Sequence, residues 1–398
     1  MNMKKNKILC ILLLLISMFA AQVSYAQKPV SFVHNGQLKK VQAFEKKGGD
    51  LGAVYDYVAN NGQPVKGYLL NYAYAMKQTE IFEWLLEEIK KEPNYIEQLG
   101  HSLALMVDRA DITTMKRFIE LGADINSPCM LCNGNYPLLQ ALQSNNRDVI
   151  DYILSLHPNL HVNSELNKGV LHHTVIGGHY DLFMRFVEED SLDIWEFHPE
   201  DNLMFYAARN NNPDILRYLV DRMITNYDLY YEFYPNDMHT YLSDEDGRMF
   251  LHYAAVSNPE NIEIILGFIA KRDCPDNDGW TPLHYAAITS LENVKCLVNA
   301  HANVYAKEND GYGILHVACE FGMSDIVEYL LNDLNMDIDI DAETDDGYTP
   351  LMLAVSSGDL KTVKLICQYE DFNFFYRKNV LKMAKKHKDI FKYLKNIK

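Results

Sequence analysis

Three histidines stand at equal intervals, each directly behind a leucine: His252, His284 and His316, 32 residues apart and again 32. Imidazoles in register are candidates for general bases or metal ligands, because their ordinary pKa lies near neutrality. Other residues have the types and spacing for chemistry too. His172 and His173, with His179 beyond, offer nitrogen ligands to a metal. Cys129-Met130-Leu131-Cys132 is a CxxC, the spacing of redox thiols, of half a zinc site or of a local disulfide. The run from Asp337, DIDIDAETDDGY, has the alternating aspartates of a calcium loop.

What these residues do depends on the elements that carry them. Residues 276–287, DNDGWTPLHYAA, nearly repeat residues 244–255, DEDGRMFLHYAA. Aligned on the leucine before the histidine, further copies carry Leu70, Leu103, Leu138, Leu171, Met204, Leu251, Leu283, Leu315 and Leu351. A last stretch, VLKMAKKHKDIFKYL, has the helical pattern without the turn. About nine to ten units therefore fill residues 67–398, which makes the chain a repeat array. Within a unit, Gly279 supplies the backbone freedom of a tight turn. Thr281 can cap a helix through its hydroxyl, and Pro282 suits the first helical position. Ala286 and Ala287 let neighbouring helices stack closely. A second helix follows, with Val294, Leu297 and Val298 in one copy and Ile326, Val327, Leu330 and Leu331 in the next. One such unit cannot cover its apolar face alone, so units must stack.

This turn–helix–helix unit, with DGxTPLHxAA and, in another copy, LGADIN at Leu121 to Asn126, resembles the ankyrin repeat. The resemblance covers most of the chain beyond its first residues. It implies an all-α ankyrin-repeat solenoid of helix–turn–helix units with short projecting turns or hairpin loops. It also implies a structural role for His252, His284 and His316, tying each turn to its own helix and to a neighbour. His172 falls on the same position and His179 on a common Gly-His position between helices, which leaves no metal site. Aligned on Gly347, the aspartate run becomes a repeat junction. Ala342 and Tyr348 stand where a calcium loop would need Gly and Glu. Two units should deviate: Leu171 follows Gly169 after only two residues, and Phe205 replaces a motif histidine.

Cys129 and Cys132 fall in a loop projecting between units, where a local disulfide or free thiols are both open. A redox or metal-handling accessory role for this pair is the alternative function. No second CxxC completes a zinc site. Cys296, Cys319 and Cys367 read as small core residues.

In the ankyrin family the turn tips and the outward side of each first helix line a concave, protein-binding face. Carried over residue by residue, the tips present Asp246, Arg248, Asn277, Asp278, Trp280, Asn309, Asp310, Tyr312, Asp345, Asp346 and Tyr348. The first helices add Ile288, Thr289, Glu320 and Phe321. Aromatics framed by acids suit protein recognition. Stacking should align Trp280, Tyr312 and Tyr348 in one row and Asp246, Asp278, Asp310 and Asp346 in another. Met204 and Leu251 lie 47 residues apart instead of 32 or 33. The extra length, near 225–245, holds Tyr227, Tyr230, Tyr231, Phe233, Tyr234 and Tyr241. It is a binding loop, a lid packed on its own neighbours or a decayed repeat.

Bulk properties narrow the function further. An apolar content of 48% with 12% aromatics excludes a disordered chain. A formal net charge of −17 argues against nucleic acid and is compatible with a basic protein partner. No phosphate loop, nucleophile elbow or paired carboxylates stand outside the repeat pattern, so neither catalysis nor a cofactor is expected. The start, MNMKKNK followed by ILCILLLLISMFAA and small residues at Ser24 and Ala26, reads as a signal peptide over residues 1–26. Cleavage is expected before Gln27, giving an exported protein, periplasmic or secreted, with no membrane insertion afterwards. A helical cap over 27–66, a capping helix pair at the C-terminus and a monomeric state complete the expectations.

Overall fold

The computed structural model describes residues 28–58, 64–132, 134–144, 146–164, 168–194, 202–225, 243–269, 271–334, 338–369 and 377–397. The signal sequence with its cleavage position, and Tyr227, Tyr230, Tyr231, Phe233, Tyr234 and Tyr241 of the aromatic insertion, lie outside the described residues. The chain divides into two compact units, residues 1–177 and 178–398.

In the second unit helices come in pairs. Leu203–Arg209 precedes Pro213–Thr225, Phe250–Ala255 precedes Pro259–Phe268, and Pro282–Ala286 precedes Leu291–Asn299. Ile314–Glu320 with Ser324–Glu328, Pro350–Ser357 with Leu360–Tyr369, and Arg377–Ala384 with Lys388–Asn396 continue the series. First helices pack on one another in chain order, and second helices do the same. Several first helices are little more than one turn long, far too short to persist alone, so their stability comes from this stacking. Ala254, Ala255, Ala286, Ala287, Ala318 and Cys319 are fully buried, and their small size lets the first layer close up. Val294, Leu297, Ile326, Val327 and Leu330 fill the space between the layers. Val298 and Leu331, expected beside them, are only half-buried, because a second helix turns one face to solvent.

Side-chain caps mark where two of the second helices begin. The side chains of Asn258 and Ser290 accept from the N–H groups of Asn261 and Asn293, satisfying donors that have no partner within the helix. Two first helices begin at Pro282 and Pro350, which have no N–H to orphan, and Thr349 also caps the second of these by accepting from the Met352 N–H. Asn261 and Asn293 are completely buried. The Asn293 amide donates to the carbonyls of Ala255 (2.9 Å) and Ser257 (3.3 Å), stitching one unit to the one before it.

The first unit corrects one expectation. The segment 27–66 is only partly helical: helix Leu38–Lys46 is followed by strand Tyr55–Val58, paired antiparallel with Pro64–Gly67. The physical reason is local. YDYV brings two tyrosines and a valine that suit a strand, whereas PVKG has little strand preference of its own and is held by its pairing with YDYV. The Tyr72 hydroxyl also donates to Tyr55 O (2.9 Å) and Val65 O (3.1 Å), holding both strands to helix Leu69–Ala75. Helix Leu103–Val107 packs against Pro137–Gln143, which packs against Val170–Gly177, so stacked first helices recur here.

Candidate protein-binding face

Both ring nitrogens of His252 and His316 are committed to the backbone, while His284 keeps one buried nitrogen without a hydrogen bond. His252 Nδ1 accepts from the Met249 N–H (2.9 Å), and its Nε2 donates to the Trp280 carbonyl of the next turn (3.1 Å). His316 repeats the arrangement, with Gly313 N–H on Nδ1 (3.2 Å) and the Ala342 carbonyl at Nε2 (2.8 Å). At His284, Nδ1 accepts from both the N–H and the hydroxyl of Thr281 (3.1 and 2.9 Å), while Nε2 faces the Ala306 and Tyr312 carbonyls without hydrogen-bonding to them. The Thr281 hydroxyl, expected to cap the helix backbone, therefore serves the ring instead. Burial disfavours the charged form of all three and lowers their pKa values, that of His284 to about 4. Each is a neutral strut between one turn and the next. His173 is buried as well, with Nδ1 at 2.9 Å from the Gly169 carbonyl. Among the described residues no group of three His, Cys, Asp or Glu side chains could hold a metal.

A second set of residues, not singled out from sequence, builds the tips. Asp276 accepts from the N–H groups of Asp278 (3.0 Å) and Trp280 (2.8 Å) and from the Tyr285 hydroxyl (2.7 Å). Asp244 does the same for Asp246, Arg248 and Tyr253. Glu308 takes the N–H groups of Asp310 and Tyr312, and Thr344 that of Tyr348. Burial works against an ionised Asp244, but bonds from Tyr253 and Arg248 outweigh it and hold the carboxyl below its usual range. The signal was present in sequence: an acid three residues before Gly247, Gly279 and Gly311, and a tyrosine directly after His252 and His284.

The tips are linked in series. Asn277 N–H donates to Asp246 O (2.9 Å), Asn309 N–H to Asp278 O (3.0 Å) and Asp345 N–H to Asp310 O (2.9 Å). The side chains of Asn277 and Asn309 reach back to Glu245 O and Asn277 O, both at 3.0 Å. Gly279 shows why glycine stands there. Its φ is +86°, and a Cβ would come within 2.8 Å of the Asn309 nitrogen. Each tip approaches the next too closely for a side chain.

This geometry sorts the sequence-derived site residues. Asp246, Asp278, Asp310, Asp345, Asp346, Glu320, Phe321 and Tyr348 are exposed. Asn277 and Asn309 are exposed too, but their amides are committed to the tip ladder. Arg248 pairs with Asp244 (2.8 Å) and with Asp246, which neutralises the first carboxylate of the acidic row. Ile288 and Thr289 are half-buried, and the Thr289 hydroxyl donates to the Ala255 and Ala286 carbonyls. Trp280 and Tyr312 do not project freely. They lie half-buried over His284 and His316, at ring distances of 5.8 Å in each case, and Trp280 also meets Tyr285 edge-on at 5.5 Å. Burial lifts the Tyr312 pKa, with help from the nearby negative charges of Glu320, Asp346 and Glu308.

In the first unit, Cys129 and Cys132 are two thiols, not a bridge. Residues Met130–Cys132 make a tight helical turn that packs against strand Pro64–Gly67. The Cys129 thiol is lowered in pKa by a hydrogen bond from Cys132, burial opposing it, and the Cys132 thiol is raised. Cys129 is wholly buried. Cys319 is a core residue as expected, whereas Cys296 and Cys367 are partly exposed on second helices.

Paired helices stacked in two layers, with linked turns along one edge, define a helical repeat array whose tips form a continuous face. Residues 226–308, 251–342 and 315–398 match the family model for ankyrin repeats (3 copies), so the chain carries ankyrin repeats over 226–398. No curated protein matches the chain. Ankyrin repeats are protein–protein interaction modules and are generally without catalysis. Among the described residues no helix is long and apolar enough to cross a membrane.

Proposed function

We propose that the chain binds a basic protein partner through the tips of its second unit, without chemistry of its own, as a monomer in the cell envelope or secreted space. One observation carries this reading. The carboxylates of Asp278, Asp310 and Asp346 stand at successive tips, exposed and in no ion pair with a described residue, while their turns are fixed by the backbone ladder. A rigid row of like charge steers an oppositely charged surface and speeds its association. Tyr348 and Phe321, both exposed, supply apolar anchors beside it.

The test is affinity capture with the wild-type chain and a variant carrying Asp246→Asn, Asp278→Asn, Asp310→Asn and Asp346→Asn. Binding kinetics of the captured protein are then measured at two ionic strengths. The reading expects slower association and a flatter salt dependence in the variant. Unchanged rates would make the tips idle. Export rests on the lysine-bearing, then apolar, start of the sequence, and N-terminal sequencing of the envelope or secreted fraction should return Gln27. An intact Met1 on a cytosolic form would remove that part.

A thiol-based role for Cys129 and Cys132 is the second reading, favoured by the lowered Cys129 pKa. Against it, the thiol that would attack is buried, and the more accessible one is the weaker acid. Two fast-reacting thiols in the native protein would revive it.

A further inference from the structure

The acidic chain ends in a strongly basic cap. Residues 377–398 hold nine Lys or Arg against a single Asp, in a chain of net charge −17. Both helices of this cap bury their apolar residues inward: Val380, Ala384, Ile390 and Leu394 are essentially inaccessible. The lysines are left outside. Lys382 and Lys386 are exposed and form no ion pair with a described residue.

These two lysines line a groove of about 550 Å³ between helices Pro350–Ser357 and Arg377–Ala384. Met352 and Met383 also line it, with Tyr348 and Asn379. Its origin lies in the repeat pattern. Over Gly247, Gly279 and Gly311 the next tip fills the space, through Asn277, Asn309 and Asp345. A Cβ at Gly347 would meet, beyond its chain neighbours, only Glu343 Oε2 among the described atoms, at 4.0 Å. Among the described residues the tip ladder ends with Asp345 on Asp310, and the groove lies beside this last described tip.

We propose that this groove is a second docking site, for a short acidic peptide segment of a partner protein. Lys382 and Lys386 would pair with its carboxylates, while Tyr348 and the two methionines, adaptable in shape, would hold an interposed apolar side chain. Charge complementarity selects the ligand, and its length is limited. Asp346 sits at the groove edge and Asp310 one tip further on, so a long uniform polyanion would run into carboxylates.

The experiment titrates the purified full chain into a fluorescein-labelled peptide of sequence Ser-Glu-Tyr-Asp-Ser, read by fluorescence anisotropy. Lys382→Glu with Lys386→Glu should weaken binding by about tenfold or more. Lys46→Glu with Lys47→Glu, an equal charge change in the first unit, should leave it within about twofold. If circular dichroism shows that charge reversal unfolds the cap, the neutral pair Lys382→Gln and Lys386→Gln replaces it, with the same expectation in direction. No peptide binding, or equal weakening by both pairs of substitutions, would overturn the proposal. So would tighter binding to a (dT)8 oligonucleotide or to phosphatidylserine vesicles than to the peptide.

Discussion

Acid should loosen the second unit well before its carboxylates titrate, and His284 shows by how much. In the unfolded chain this imidazole takes its proton near 6.5; in the folded chain burial lowers that to about 4. Between those values the unfolded chain binds the proton and the folded one does not, so stability rises with pH through the window and is lost as pH falls through it. At about 1.4 kcal/mol per pH unit, the neutral ring of His284 accounts for about 3 kcal/mol between pH 7 and pH 4. The charges acting on it are Asp276, which favours the proton, and His252, which opposes it. His252 and His316 shift in the same direction and add to the loss. Urea unfolding at pH 7.5, 6.0, 5.0 and 4.2 would measure it, followed by the fluorescence of Trp280, whose ring lies 5.8 Å from His284. Trp84→Phe and Trp195→Phe remove the other indoles. His284→Asn keeps an acceptor for the Thr281 N–H but cannot titrate. It should be less stable at neutral pH, with a pH dependence shallower by about 3 kcal/mol over the window. Equal acid losses in the two proteins would refute the argument, because the ring would then not be the group that resists the proton.

Asp276→Ala should cost about 2–3 kcal/mol, since two backbone donors and the Tyr285 hydroxyl lose their acceptor; thermal melting measures it, and a loss below about 0.5 kcal/mol would contradict the role given to this carboxylate. For Asn293→Ala we predict about 2 kcal/mol from the loss of its amide's bonds to the Ala255 and Ser257 carbonyls, read from the same melts. Diamide oxidation should join Cys129 to Cys132 within one chain, their thiols being already hydrogen-bonded; peptide mass mapping checks this, and bridges between chains would count against it.

The register of the array was legible because glycine, proline, leucine and histidine recur at fixed positions, each for a local backbone or packing reason. The structural role of His252, His284 and His316 followed from the ankyrin resemblance that this register carries. The tip ladder could not, since Asn277 and Asn309 act through bonds to the backbone of another unit and no composition signal announces them. The strands at Tyr55 and Pro64 were missed because four residues each give too few alternations to stand out beside helices. Trp280 and Tyr312 were read as projecting because their position after the glycine fixes where the chain turns, not where a long side chain then lies. The basic cap was countable from the start. A single net charge for the whole chain averaged it away.

The ladder of tips has a consequence for how such a protein can change in length. Each interior tip carries its own donor facing backward, as at Asn277, and its own acceptor facing forward, as at Asp278. A 32-residue duplication of residues 276–307 would therefore bring both halves of every new bond with it. Nothing at the junctions would be left unpaired, and the comb of carboxylates would gain one tooth. The number of teeth is in that sense loosely held by folding and open to selection by whatever surface the comb must span.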